Sequence, residues 1–79
     1  MKNKHEILKE LKQKCNTLIK IYQKDKKKWL ILNTISSFLD DGEKFFMSCD
    51  SELALNVLMD LGYKKEEAMV LYLKLISQN

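Results

Sequence analysis

The sequence predicts an all-α protein: a single domain spanning residues 1–79, folded as a compact bundle of four or five short helices. Apolar residues recur three and four positions apart along most of the chain, which is the period of an amphipathic helix. Aspartates and glycines fall between these stretches, where helices begin and end, and the chain contains no proline. Because a domain of this size buries only about 60% of its unfolded surface, we do not expect a deep catalytic cleft.

Residues 1–28 form the first of three segments, a basic amphipathic helix predicted over residues 3–24. Its apolar stripe consists of Ile7, Leu11, Cys15, Leu18 and Tyr22, with Leu8 and Ile19 beside it. The polar face is almost entirely lysine. A stripe this wide also suits packing on a second copy of the chain, so a homodimer is one alternative.

Residues 29–49 form the second segment, an apolar helix followed by an aromatic turn. Asp25 is a predicted N-cap, and the inner stripe of the helix is Trp29, Leu32, Ile35 and Leu39. The run Asp40-Asp41-Gly42 is predicted to end this helix, with Gly42 in a left-handed conformation. Residues 43–49 then form a short helical turn, in which Phe45 and Phe46 plug the core.

Residues 50–79 form the third segment, a helical hairpin. Asp50 is a predicted N-cap for an apolar helix that Gly62 ends, and the last helix runs over residues 65–77. Glu66 and Glu67 lie at the positive end of that helix. Its inner stripe is predicted to be Ala68, Leu71, Tyr72 and Leu75, with Met69 and Ile76 alongside.

The hairpin resembles the ubiquitin-associated (UBA)-like three-helix fold, most closely the C-terminal domain of the Holliday-junction protein RuvA. An Ala/Leu-rich helix, Leu-Gly-Tyr and a helix opening with Lys-x-x-Glu-Ala carry the resemblance over residues 54–75. The matching residues are Ala54, Leu58, Leu61, Gly62, Tyr63, Lys64, Glu67, Ala68 and Lys74. The junction-binding parts of RuvA have no counterpart here. The resemblance implies a UBA-like hairpin that binds other proteins at the Leu-Gly-Tyr turn, whereas the simpler alternative is an economical way to fold a short chain.

Charge is divided unevenly along the chain. Residues 1–28 hold ten lysines and three acids, a net charge of +7, whereas residues 29–79 hold four lysines and eight acids, a net charge of −4. Lysines can bind nucleic-acid phosphates by releasing counterions, and the candidate phosphate-binding residues are Lys9, Lys12, Lys20, Lys24, Lys26, Lys27 and Lys28. A solvated face is the simpler interpretation, and the absence of arginine removes the usual bidentate contact to guanine.

Two other surfaces are disfavoured by the sequence. A DNA-reading helix-turn-helix at Gly62 would present Glu66 and Glu67 to the phosphates, which would repel them. Binding to an anionic membrane surface is disfavoured because the apolar residues are expected to be used in the core. No stretch is long and apolar enough to span a bilayer, and we expect a cytoplasmic protein.

The chemistry of enzymes is poorly represented. His5 is the only histidine, and Cys15 and Cys49 are predicted to be buried free thiols rather than a disulfide or a metal site. Two glycines, Gly42 and Gly62, cannot form a glycine-rich phosphate loop. We therefore expect no catalytic residue, no metal and no cofactor.

These observations favour a non-catalytic regulator or inhibitor that binds a larger protein, whose identity the sequence does not give. Size and composition suit a phage, a plasmid or a low-GC bacterium, where inhibitors of host enzymes and bacteriocin immunity proteins are examples of the class. The predicted partner-binding residues are Leu61, Gly62, Tyr63, Lys64, Phe45 and Phe46. The alternative is a nucleic-acid-binding protein that uses residues 2–28.

Overall fold

The structure is a computed structural model that describes residues 2–77. This part of the chain contains five helices. They are α1 (Lys4–Ile21), α2 (Lys26–Asp40), α3 (Glu43–Ser48), α4 (Ser51–Asp60) and α5 (Lys65–Ile76). No strand occurs among the described residues. The predicted all-α helical bundle is therefore confirmed.

Two of the helices begin at the caps that the sequence predicts. The Asp25 carboxylate accepts a hydrogen bond from the backbone N–H of Lys28 at 3.2 Å, and Asp50 accepts one from Leu53 at 2.8 Å. Each bond satisfies a backbone donor that has no partner inside the helix. α2 therefore begins at Lys26, immediately after its cap, three residues earlier than its apolar stripe alone indicates.

α1 and α2 pack against each other as an antiparallel hairpin. The Cys15 thiol lies 3.3 Å from the backbone oxygen of Leu32, and Lys12 pairs with Asp40 at 2.8 Å. Buried residues in α1 end at Cys15, and those in α2 begin at Leu32. The last turns of α1 and the first turns of α2 therefore extend beyond the fully buried core.

The core is apolar and draws on all five helices. Its buried members are Ile7, Leu11, Cys15, Leu32, Ile35, Leu39, Phe45, Phe46, Ala54, Val57, Leu58, Leu61, Ala68 and Leu75. None of the buried residues among positions 2–77 is polar or charged. Phe45 stacks on Phe38 with ring centroids 4.5 Å apart and meets Phe46 edge-on at 5.0 Å, which confirms the predicted aromatic plug.

Three residues lie further from the core than their sequence pattern predicts. Trp29 is 38% exposed, because it lies in the first turns of α2, beyond the last buried residues of the hairpin. Met69 is 47% exposed, since α5 turns only one side toward its neighbours. Cys49 is half-buried rather than buried, and both cysteines are free thiols.

Candidate protein-binding corner

The turn between α4 and α5, which we call the corner, consists of Leu61, Gly62 and Tyr63. The Gly62 N–H donates to the Met59 carbonyl at 2.9 Å, and the Tyr63 N–H donates to the Leu58 carbonyl at 3.3 Å. These two bonds define a Schellman motif, which satisfies carbonyls at the end of α4. Gly62 has a φ of +106°, so the motif depends on a residue without a side chain.

The first turn of α5 follows directly from the corner. Lys64 is the N-cap residue, and its backbone N–H donates to the Glu67 carboxylate at 3.2 Å. Glu66 and Glu67 occupy the first turn, as predicted, where the helix dipole favours negative charge. Hydrogen bonds therefore define both the end of α4 and the start of α5.

α1 contacts the corner through Lys14. The Lys14 ammonium lies 4.0 Å from the centre of the Tyr63 ring, a cation–π contact. Burial raises the pKa of Tyr63, and the nearby carboxylate of Glu10, which is paired with Lys2, raises this pKa further. Tyr63 is half-buried, so part of the ring remains open to solvent.

A first concave surface, the hairpin hollow, lies between the corner and the α1–α2 hairpin. Its volume is about 300 Å³. Its lining residues are Leu18, Tyr22, Lys28, Ile31, Leu32, Asp60, Leu61 and Gly62. Apolar side chains thus form most of this hollow, and Lys28 and Asp60 add charges of opposite sign.

A second concave surface, the α5 hollow, adjoins the corner at Tyr63. Its volume is about 370 Å³, and it is lined by Tyr63, Glu66, Glu67, Val70 and Leu71. Val70 is 52% exposed, and its neighbours on α5, Met69 and Leu73, are exposed as well. The α5 hollow therefore continues into an exposed apolar surface.

The predicted partner-binding residues divide into two groups. Gly62 and Lys64 are exposed and Tyr63 is half-buried, so these three can contact a partner. Three other side chains are buried and offer little surface to a partner, those of Leu61, Phe45 and Phe46. Partner binding by the six residues stays a prediction. A six-residue helix such as α3 turns two consecutive aromatics into the core and leaves the third apolar residue, Met47, outside.

Sequence reasoning missed several residues of the two hollows. The sequence assigns Val70 to no surface, and it predicts Tyr22 only as a member of the apolar stripe of the first helix. A signal for Val70 was present, because α5 carries apolar residues on more than one side. The hairpin hollow had no sequence signal, since its lining comes from three separate elements.

The candidate phosphate-binding lysines are all exposed. Lys12 is paired with Asp40, and the Lys28 ammonium lies 4.5 Å from the centre of the Tyr22 ring. Among the described residues, five others make no ion pair: Lys9, Lys20, Lys24, Lys26 and Lys27. Binding of these lysines to nucleic acid stays a prediction.

Other chemistry is sparse in the described part of the chain. Residues 2–77 contain no cluster of three or more histidine, cysteine or acidic side chains that could hold a metal ion. Burial raises the pKa of the Cys15 and Cys49 thiols, which disfavours the reactive thiolate. Within the same range, no helix has the length and hydropathy needed to cross a bilayer.

Comparison with known proteins adds no relative. No protein-family model, curated protein or solved structure matches the chain.

Proposed function

We propose that this protein is a non-catalytic regulator that binds a larger protein through the corner and the two hollows beside it. The observation that carries the proposal is the position of the hollows. Both adjoin the same turn, and both are lined mainly by apolar side chains. Their volumes lie at the low end of those found for ligand pockets, so they suit single side chains of a partner.

Preorganisation of the corner supports this proposal. The Schellman motif fixes the end of α4, and the bond from Lys64 to Glu67 fixes the start of α5. A surface that is already ordered loses little conformational entropy when a partner binds. Tyr63 presents part of an aromatic ring at the α5 hollow, and tyrosine is enriched among the residues that dominate binding energy.

The exposed surface of α5 gives the same proposal more area. Met69, Val70 and Leu73 are each close to half exposed or more, and they extend the α5 hollow along the helix. Glu66 and Glu67 border this surface, so a partner with apolar side chains and nearby basic groups would complement it. The resemblance of residues 54–75 to UBA-like domains implies binding at the same turn.

Site-specific photo-crosslinking in the cell that produces the protein tests the proposal. A photoreactive phenylalanine analogue replaces Glu66, which lines the α5 hollow. The matched control places the same analogue at Gln13, which is exposed on the polar face of α1. We expect a discrete crosslinked protein from position 66 and none from position 13.

A second variant tests whether the corner causes the crosslink. Tyr63→Ala combined with the analogue at position 66 should abolish the crosslinked product, while far-UV circular dichroism shows that the helices are retained. Equal crosslinking from both positions, or a product that survives Tyr63→Ala, would contradict the proposal.

A further inference from the structure

The end of the α1–α2 hairpin carries large apolar side chains that the core does not use. We call residues 20–31 the hairpin tip. Ile21 is 65% exposed, Leu30 is 51% exposed, and Trp29 and Ile31 are 38% and 42% exposed. The sequence pattern indicated that such residues are used in the core, and the structure shows that these four are only partly covered.

The same tip is strongly basic. It holds five lysines, Lys20, Lys24, Lys26, Lys27 and Lys28, against the single acid Asp25, a net charge of +4. Asp25 is already engaged as the N-cap of α2. None of the five lysines takes part in an ion pair within residues 2–77.

Helix stability does not explain the placement of three of these lysines, although it favours Lys20 in the last turn of α1. Lys26, Lys27 and Lys28 are the first three residues of α2. The helix dipole favours acids at this end and disfavours cations. These three charges therefore oppose the local stability of α2, and an anionic partner would offset that repulsion.

The directions of the apolar side chains distinguish between partners. Trp29, Leu30 and Ile31 are consecutive in a helix, so their side chains leave its axis about 100° apart. A groove on a protein covers one side of a helix and would leave at least one of them in water. A nucleic-acid duplex would engage the lysines but would leave Leu30 and Ile21 without an apolar environment.

We propose that the hairpin tip docks on an anionic phospholipid surface. The headgroup region of a bilayer is fluid and can close around a tip from all sides. Trp29 would lie at the interface, where tryptophan is enriched, and Leu30 and Ile21 would enter the apolar boundary. The lysines would lie at the depth of the lipid phosphates, where each strengthens binding by about fivefold. This inference goes beyond the proposed function, because it assigns a second partner to the hairpin tip. Three residues of the tip also line the hairpin hollow, Tyr22, Lys28 and Ile31, whereas Ile21, Trp29 and Leu30 do not.

The full chain contains its own probe, since Trp29 is the only tryptophan. Its fluorescence is recorded at physiological salt as vesicles of phosphatidylglycerol and phosphatidylcholine in equal parts are added, and co-sedimentation measures the bound fraction. Vesicles of phosphatidylcholine alone form the parallel series. We expect a blue shift and co-sedimentation with the anionic vesicles and little of either with the neutral ones.

Two pairs of variants separate the tip from the rest of the surface. Ile21→Asn with Leu30→Asn should reduce binding about tenfold or more, whereas Met69→Asn with Leu73→Asn, which alters a similarly exposed pair on α5, should leave vesicle binding unchanged. For charge, the triple lysine-to-glutamine change at positions 20, 24 and 27 should weaken binding by roughly a hundredfold. The same change at positions 44, 65 and 74 removes equal charge elsewhere and should have little effect. Circular dichroism confirms that each variant is folded.

Several results would overturn the inference. One is no fluorescence shift or co-sedimentation with anionic vesicles; another is equal binding to neutral vesicles. Equal losses in the tip variants and their controls would show that the tip is not the contact. A different set of results would show that the tip binds nucleic acid instead. Duplex DNA would bind at physiological salt, this binding would need the tip lysines and be unaffected by Leu30→Asn, and vesicles would not bind.

Discussion

Replacing Gly62 by alanine tests whether the conformation of the corner depends on a missing side chain. A Cβ at this position would lie 3.8 Å from Lys14 Cε, which is an ordinary contact, so no steric clash is expected. The cost comes from the backbone, because a φ of +106° is strained for an L-residue, by about 1–3 kcal/mol. Alanine also lowers the conformational entropy of the unfolded chain, which stabilises the folded state by about 0.4–1 kcal/mol. We therefore expect the free energy of unfolding to fall by about 1–2 kcal/mol.

Urea denaturation followed by far-UV circular dichroism measures this change, and a loss of about 1 kcal/mol lowers the Tm of a domain this size by about 4–8 °C. Asn56→Ala is a matched control, because Asn56 is exposed within α4 and alanine is the better helix former. The control should be neutral or slightly stabilising. If Gly62→Ala were as stable as the wild type, the corner would not require a positive φ, and the account of its rigidity would be wrong.

Three further predictions concern the core and its titratable groups. Phe46→Ala should reduce the free energy of unfolding by about 3–5 kcal/mol, which is most of the stability of a domain this size. Met47→Ala, at a 51% exposed position, should change it by about 0.5 kcal/mol or less. Equal effects of the two variants in urea denaturation would contradict the assignment of core and surface in α3. In the native protein, the Cys15 thiol should react with a thiol reagent at least about ten times more slowly than the Cys49 thiol. The two rates should converge in urea. Equal rates in the native protein would mean that Cys15 is accessible. Because burial raises the pKa of Tyr63, the folded protein holds the phenol proton more tightly than the unfolded chain, so this contribution to stability is complete below pH 10.0 and declines as the pH rises through the higher folded pKa. Tyr63→Phe should lessen that alkaline loss in denaturation curves recorded on either side of pH 10.0, and an unchanged loss would count against it.

Local chemistry explains which parts of the fold were predictable from the sequence. Asp25 and Asp50 cap helices through bonds to residues three positions away, so the signal lies within a few residues. Gly42 and Gly62 have positive φ for the same local reason, since each follows the end of a helix. Element boundaries were therefore predicted to within a few residues.

Tertiary packing decides the features that the sequence did not predict. In α3, Phe45, Phe46 and Met47 are consecutive apolar residues, and only the assembled neighbours determine that Met47 is the one left outside. Trp29 fits the apolar period of α2, but the other helices do not bury it. A helical period gives the relative directions of side chains and does not say how far along the helix the core extends.

For a related reason, the sequence predicted only one part of the candidate site. The Leu61-Gly62-Tyr63 turn has a local signature, and sequence analysis located it. The hairpin hollow brings α1, α2 and the end of α4 together, and its lining residues lie up to 44 positions apart along the chain, from Leu18 to Gly62. No pattern within one element predicts such a surface.

The measurement that tests the proposed function most directly is the affinity of the purified partner, once crosslinking at position 66 has identified it. Titration calorimetry compares the wild-type chain with Tyr63→Ala and Val70→Asp, each shown to be folded, and with Leu30→Asn as a control at the hairpin tip. If the corner and the α5 hollow form the contact, both variants should bind about thirtyfold or more weakly, as expected for residues that dominate an interface, and the control should bind like the wild type. Affinities for Tyr63→Ala and Val70→Asp that stay within about threefold of the wild type would show that the partner binds elsewhere, and the corner would then be only a turn between two helices.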